Sequence, residues 1–271
     1  MDGAGIPRSI FRPDTLSGRV ALVSGAGSGL GRSIACELAR MGATVVGCGR
    51  RRALVDETSD YIRGFGGTAA GLQLDIRDES AVESAIAHVL DRHGRLDVLV
   101  NNAGGQFFGP AELTSPKGLR TVLELNTVGM WNLTLAAATA AFLPQGEGRV
   151  INITVSPHNG IQGFMASAAS RAAVENMTRS LSSEWGRRGV TLVAVAAGAF
   201  LTDVITTKYP AEMTDKWADT NSVGRVGAPE EIASLVGYLA SPIARYLTGC
   251  VVTIDGGVDN GPPKEILAET R

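Results

Sequence analysis

Residues 24–31 read SGAGSGLG, with Gly25, Gly29 and Gly31 in a GxxxGxG spacing. A β-branched run, RVALVS (19–24), precedes them and an amphipathic segment follows to about Met41. Glycines in such a strand–turn–helix context permit a tight turn. They also let backbone N–H groups approach a pyrophosphate and seat it on the partial positive charge of a helix N-terminus. Gly25, Ser28, Gly29, Leu30 and Gly31 are the loop residues expected at that phosphate. The second strand ends GCGRRRA, so Arg50, Arg51 and Arg52 stand where an NAD site would carry a carboxylate for the ribose 2′-hydroxyl. The planar fork of arginine suits a 2′-phosphate. The cofactor expected is therefore NADP(H), held through Arg50 and Arg51. Three cations at a helix N-terminus would otherwise be unfavourable. Asp75 closes the third strand, with Ile76 after it; its carboxylate is expected either to accept the adenine amino group or to cap the next helix.

The elements that must position these residues alternate along the chain. Strand-like runs at 19–24, 43–49, 68–75, 95–104, 148–154, 190–198 and 249–255 are separated by helical patterns. The longer helical patterns run from about Lys117 to Leu143, from Met165 to Arg187, and over 229–240. Regular β/α alternation predicts an α/β fold, a single-domain, doubly wound, parallel seven-stranded sheet of the Rossmann type. Residues 1–17 read as an N-terminal arm outside the core, and residues 18–271 as the domain. The polar stretch 201–222, LTDVITTKYPAEMTDKWADTNS, reads as an irregular, mobile lid over substrate, with Tyr209 and Trp217 set among charges.

Bulk properties narrow the function. The chain has 271 residues, 44% hydrophobic, and a net charge of −2 without a dense Lys/Arg stripe, which argues against nucleic acid or anionic membrane as partner. No run of 18 apolar residues occurs, and Cys36, Cys48 and Cys250 are scattered, in no metal-ligand spacing. A cytoplasmic protein without a metal, acting on a small molecule, is the expectation.

GxxxGxG at 25–31, Asp75, NNAG at 101–104, Asn126 in LELNTVG, and RVGAPEEIA with LTGCVVTIDGG together resemble the short-chain dehydrogenase/reductase family. The resemblance covers about Leu16 to Gly257. It implies a sheet of order 3-2-1-4-5-6-7, a homotetramer or dimer, and cofactor contacts from Asn102, Ala103, Gly104, Gly198 and Thr202. That family works with Asn, Ser, Tyr and Lys. Asn126 matches the asparagine, and Thr154 the serine, with Ser156 as the alternative one slip away. The tyrosine and lysine places hold Ser167 and Arg171. The pattern, with NNAGGQFFGPAELTSPKG, is similar to the peroxisomal trans-2-enoyl-CoA and 2,4-dienoyl-CoA reductase branch.

The substitution has chemical content. A tyrosine titrates near ~10 and a nearby cation can draw it towards neutral, whereas a serine hydroxyl resists ionisation and arginine stays protonated. Four apart on one helix, Ser167 and Arg171 face the same way. Hydroxyl donors and one cation suit a reaction that builds an oxyanion. Hydride addition to Cβ of a 2-enoyl thioester is one, with Thr154 and Ser167 donating to the oxyanion. Asn126 and Arg171 would then hold water, ribose and helix geometry, and the α-carbon would take its proton from water. Two other readings stay open: reduction of a carbonyl, alcohol or imine of specialised metabolism, with His158 as a replacement acid, and a non-redox relative lacking the pair. Gln106 and Phe107 are expected at the pocket edge.

Overall fold

The computed structural model describes residues 11–156, 158–208 and 211–261. Seven strands, β1 (Val20–Ser24), β2 (Thr44–Gly49), β3 (Thr68–Gln73), β4 (Val98–Asn101), β5 (Gly148–Val155), β6 (Val190–Ala197) and β7 (Cys250–Ile254), form one sheet of order β3-β2-β1-β4-β5-β6-β7. Every neighbouring pair is parallel. The alternation predicted the doubly wound parallel sheet, and the family resemblance implied this order.

The central strands are apolar on both faces because both faces are covered. Ala21 and Val23 of β1, with Val98 and Val100 of β4, pack into one core cluster, whereas Val20, Leu22 and Leu99 pack into the other. Side chains of period two thus feed two layers. Ile34 and Leu38 of α1 (Gly29–Arg40) and Ile232 and Val236 of α10 (Pro229–Ala240) cover the first face. Val82, Ile86 and Val89 of α3 (Glu79–His93) help cover the second. The helix after β2 is α2 (Arg52–Gly64).

The helix expected over Lys117–Leu143 runs from Pro116 to Gln145 but is not uniform. It consists of α4 (Pro116–Leu123), a π turn at Glu124–Val128, α5 (Gly129–Ala137), a second π turn at Ala138–Phe142, and α6 (Leu143–Gln145). The first π turn contains Asn126, and single π turns of this kind often mark functional positions. Helix α7 (Met165–Trp185) carries Ser167 and Arg171.

Two expectations change. The stretch 201–222 is not irregular: it contains α8 (Asp203–Lys208) and α9 (Ala211–Asp219). Its polar side chains tie the backbone: the Thr202 hydroxyl accepts from the Ile205 N–H at 3.3 Å, and the Asn221 side chain donates to the Trp217 and Arg225 carbonyls at 3.0 Å each. Tyr209 lies outside the described residues. The arm is likewise not wholly outside the core. Leu16 is 1% exposed within the first core cluster, and its N–H donates to the Met41 carbonyl at 2.7 Å. Residues 1–10 and 262–271 lie outside the described residues. Among the described residues no helix is long and apolar enough to cross a membrane.

Candidate active site

Strand order reverses beside β1 and β4, and the crevice beyond their C-terminal ends is where this topology leaves room for a ligand. A cavity of about 370 Å³ opens there. Gly25, Ser28, Gly29 and Leu30 line it from the turn after β1, and Arg50 and Arg51 from the end of β2. Asp75 and Ile76 follow β3, and Asn102, Ala103 and Gly104 follow β4. Thr154, Ser167, Arg171, Gly198 and Thr202 complete the expected set. Gly31 and Asn126, also predicted at the site, are not on the wall but behind it.

The turn is shaped for an anion. Gly25 has φ +68° and Gly29 φ +53°, a region glycine enters without strain. A Cβ on Gly31 would lie 2.2 Å from the Gly25 carbonyl oxygen and 2.4 Å from Asn102 Nδ2, so the backbone closes around a position only glycine fills. Asn102 Nδ2 donates to the Ser24 carbonyl at 2.9 Å, and Ser24 Oγ accepts the N–H groups of Asn102 and Ala103 at 3.0 Å each. These bonds take 102–104 out of β4, which was expected to run to 104. Helix α1 has no acidic residue in its first turn and no side-chain cap, so its N-terminal N–H groups are open to an outside anion. One such group is taken: the Gly29 N–H donates to Asp203 Oδ1 at 3.0 Å. A carboxylate thus stands in where a phosphate oxygen would fit.

The arginines divide by partner. Arg52 is committed to Asp56 through Nε at 2.7 Å and does not line the cavity. Arg51 faces inward and donates from Nη2 to Ser28 Oγ at 3.3 Å. Arg50 and Arg51 line the cavity. Asp75 is paired with Arg77, whose Nε donates to its Oδ1 at 2.9 Å. That hydrogen bond holds the Asp75 carboxyl below the usual carboxylate range. The carboxylate faces the cavity as an acceptor shared with Arg77, and the cap of α3 is Asp78 instead.

At the far end, Arg171 donates to the Ile153 carbonyl, and a Cβ on Gly104 would lie 2.1 Å from Arg171 Nη2. Among the described residues no carboxylate pairs with it. Part of its surface meets the cavity, yet the guanidinium is enclosed enough that burial pushes its pKa down to about 10, so it stays cationic at neutral pH. Ser167, one turn earlier, is 3% exposed and faces the same space.

Three expected roles are corrected. Asn126 is 2% exposed and spends its amide on the scaffold: Nδ2 donates to the Gly105 carbonyl and to Ser170 Oγ at 2.9 Å each, and Oδ1 accepts the Gly105 N–H at 2.8 Å. It positions the 104–105 loop rather than substrate or water. Thr154, not Ser156, reaches the cavity; Ser156 Oγ donates to Asp255. The Thr154 hydroxyl, however, donates to Glu175 Oε1 at 2.8 Å, so its proton is directed away from the cavity. Gln106 lines the cavity as expected, whereas Phe107 does not and is 45% exposed. His158 is tied to Asp259 through Nδ1 at 2.6 Å and to Glu175 through Nε2 at 3.2 Å. Chiefly the hydrogen bond that its ring donates to Asp259 raises its pKa above the usual histidine value.

Ser24, Glu175, Asp203 and Asp259 escaped the sequence reading. Ser24 was visible as a hydroxyl closing an apolar strand, and Glu175 as an acid four residues beyond Arg171 on the same helix face. Asp203 and Asp259 carry no local signal, since only folding brings them to the site.

The family model described as enoyl-(acyl carrier protein) reductase matches residues 25–259. The chain is 32% identical to the peroxisomal 2,4-dienoyl-CoA reductase, (3E)-enoyl-CoA-producing, of Arabidopsis thaliana, over 96% of this chain and 91% of the relative. The citronellol catabolism dehydrogenase of Pseudomonas aeruginosa PAO1 superposes with a TM-score of 0.84 at 34% identity, covering 93% of this chain and all (100%) of the other. A single-residue variant of actinorhodin polyketide ketoreductase, determined with NADPH, superposes with a TM-score of 0.86 at 31% identity, covering 92% and 100%.

Proposed function

The chain belongs to the short-chain dehydrogenase/reductase family of oxidoreductases, and from that premise we propose that it is an NADPH-dependent reductase of an activated carbon–carbon double bond in a 2-enoyl-CoA or similar thioester. The observation that carries this reading is Arg171, an enclosed cation without an acidic partner among the described residues, sharing the cavity with Ser167. The name of the dienoyl-CoA reductase relative supports the substrate class.

The turn at 25–31 and the N-terminus of α1 would hold the pyrophosphate, Arg50 and Arg51 the 2′-phosphate, Asp75 and Ile76 the adenine, and Thr202 and Gly198 the nicotinamide end. When bound, the reduced nicotinamide supplies a hydride, which a 2-enoyl thioester accepts at Cβ. Negative charge then develops on the thioester oxygen. Ser167 donates a hydrogen bond to it, and the Arg171 cation lowers its energy in a setting where little water competes. Asn126 keeps the 104–105 loop against Arg171. Consumption of NADPH with crotonyl-CoA and longer 2-enoyl-CoAs tests the proposal; no turnover at any chain length removes it.

Two cofactor experiments follow from the cradle. Replacing Arg50 and Arg51 together by serine is expected to weaken NADPH about 100-fold and leave NADH nearly unchanged, since two charge-assisted contacts to one phosphate are lost. Fluorescence titration of both cofactors checks it, and equal losses for the two would contradict a 2′-phosphate role. Asp203→Asn is expected to tighten NADPH by about fivefold, roughly 1 kcal/mol, because an anion no longer competes for the Gly29 N–H. Calorimetric titration reads it, and unchanged or weaker binding would mean that Asp203 and phosphate do not share the group.

Reduction of a carbonyl is the second reading, favoured by the likeness to the ketoreductase and to the citronellol dehydrogenase. Turnover of ketones but not enoyl thioesters would select it. We take the working form to be a cytoplasmic homo-oligomer. Cys36 and Cys48 are buried, and Val128 and Leu135 on the long helix are 40% and 36% exposed.

A further inference from the structure

Behind the cavity wall a line of side chains reaches from Thr154 to the surface. Thr154 Oγ1 donates to Glu175 Oε1 at 2.8 Å, and the same oxygen meets His158 Nε2 at 3.2 Å. The other ring nitrogen, Nδ1, lies 2.6 Å from Asp259 Oδ2, and the His158 backbone N–H donates to Asp259 Oδ1 at 2.7 Å. Asp259 is itself fixed, its N–H donating to Asp255 Oδ2 at 2.9 Å. Exposure grades along the line: Thr154 3%, the Glu175 side chain 6%, the His158 side chain 32%.

We propose that His158, Glu175 and Thr154 form a proton line from solvent into the cavity, with Asp259 orienting the imidazole. The inference rests on the proposed reductase reading and replaces water as the source of the proton. A carboxylate buried as deeply as Glu175 is costly unless it is paired. Its two partners face opposite ways, one towards the cavity and one towards solvent. An amide would make the same two contacts through its oxygen, so a purely structural tie needs no ionisable group here. A relay does.

The steps balance. The His158 Nε2–H bond breaks as an O–H bond forms on Glu175 Oε1. Once Glu175 carries that proton, the Thr154 hydroxyl turns from donor to acceptor: it takes the proton on Oγ1 while its own hydrogen, now aimed into the cavity, passes to the substrate anion and forms the C–H bond at the α-carbon. Thr154 and Glu175 return to their starting states, and His158, left neutral, regains a proton from water. The line moves one proton and no electrons; both electrons arrive with the hydride.

The charged groups facing His158 are Asp259, from the turn after β7, and Glu175, from α7; Asp255 stands one contact further away, beyond Asp259. The two carboxylates favour the imidazolium, in line with the raised pKa of His158. The protonated ring is the donor, so kcat is expected to fall as pH rises through that raised value.

With three histidines in the chain, the imidazole of His158 can be titrated by NMR in the protein without substrate. Its pKa is expected above the ordinary histidine value, and to fall in Glu175→Gln, which keeps the contacts and removes the charge. Kinetically, Glu175→Gln and His158→Gln are each expected to lower kcat about 100-fold with little change in KM, and to abolish the decline at high pH. The partly exposed His158 variant covers the case in which the buried Glu175 variant fails to fold. His93→Gln should leave rate and profile unchanged. A His158 pKa at or below the ordinary value and insensitive to Glu175→Gln overturns the line, as does a His158→Gln enzyme with the wild-type pH profile. Absence of turnover with every enoyl thioester and ketone would instead sink the reductase reading, and the NMR titration would still decide whether the line exists.

Discussion

Arg171→Met is expected to lower kcat/KM by about 100- to 1,000-fold, the usual effect of deleting a preorganised oxyanion-stabilising group, while the melting temperature does not fall. Both halves come from the same placement. The guanidinium is enclosed beside Gly104 and Ile153 and has no carboxylate among the described residues to offset its desolvation. Its pKa is pushed down to about 10 by burial. A base whose folded pKa lies below its unfolded value destabilises the fold wherever the cation persists, so the penalty is present at every pH below about 10 and relieved only above it. Methionine removes the penalty at working pH and fills much of the same volume. The cation is thus retained at a cost in stability, the pattern of an active-site group. Arg171→Lys keeps the charge but loses the planar fork, and should recover most, not all, of the rate. Steady-state kinetics and thermal melts on the three proteins check the pair of statements. A methionine variant within a few-fold of wild type would remove Arg171 from the chemistry.

The second large effect is at Gly31. Gly31→Ala is expected to weaken NADPH binding at least about 100-fold and to cost about 1–3 kcal/mol of stability, as overpacking does. The added Cβ would meet the Gly25 carbonyl oxygen at 2.2 Å and Asn102 Nδ2 at 2.4 Å. The first is backbone in a turn with φ +68°, and the second is held by its bond to the Ser24 carbonyl. Neither can yield without opening the turn that presents N–H groups to phosphate. Gly64→Ala is the control, since nothing lies within 4 Å of a Cβ there. Cofactor titration and melting of both variants read the result; near-normal binding by Gly31→Ala would show that the turn relaxes around the methyl group.

The parallel sheet and most of the residues that line the cavity were legible in the 271 letters, and the order of the strands came with the family resemblance. Strand and helix periods, glycine spacing and the arginines ending β2 are local patterns, and local patterns survive without coordinates. The uniform helix over Lys117–Leu143 failed as an expectation because a π turn inserts at Glu124–Val128 without changing the hydrophobic period enough to be read. The irregular lid failed because the threonines and asparagine that look like loop composition here bond to backbone within α8 and back onto the last turn of α9. What the hydroxyls do was decided only by tertiary structure. The sequence offered Thr154 as a donor to the oxyanion and Asn126 as a holder of water, ribose and helix geometry. The fold turned the first onto Glu175 and the second onto Gly105 and Ser170. A hydroxyl or amide has no chemistry of its own direction until a partner takes its proton or lone pair, and partners 17 or 101 positions apart in the chain, as in the contacts of His158, meet only when the sheet is assembled.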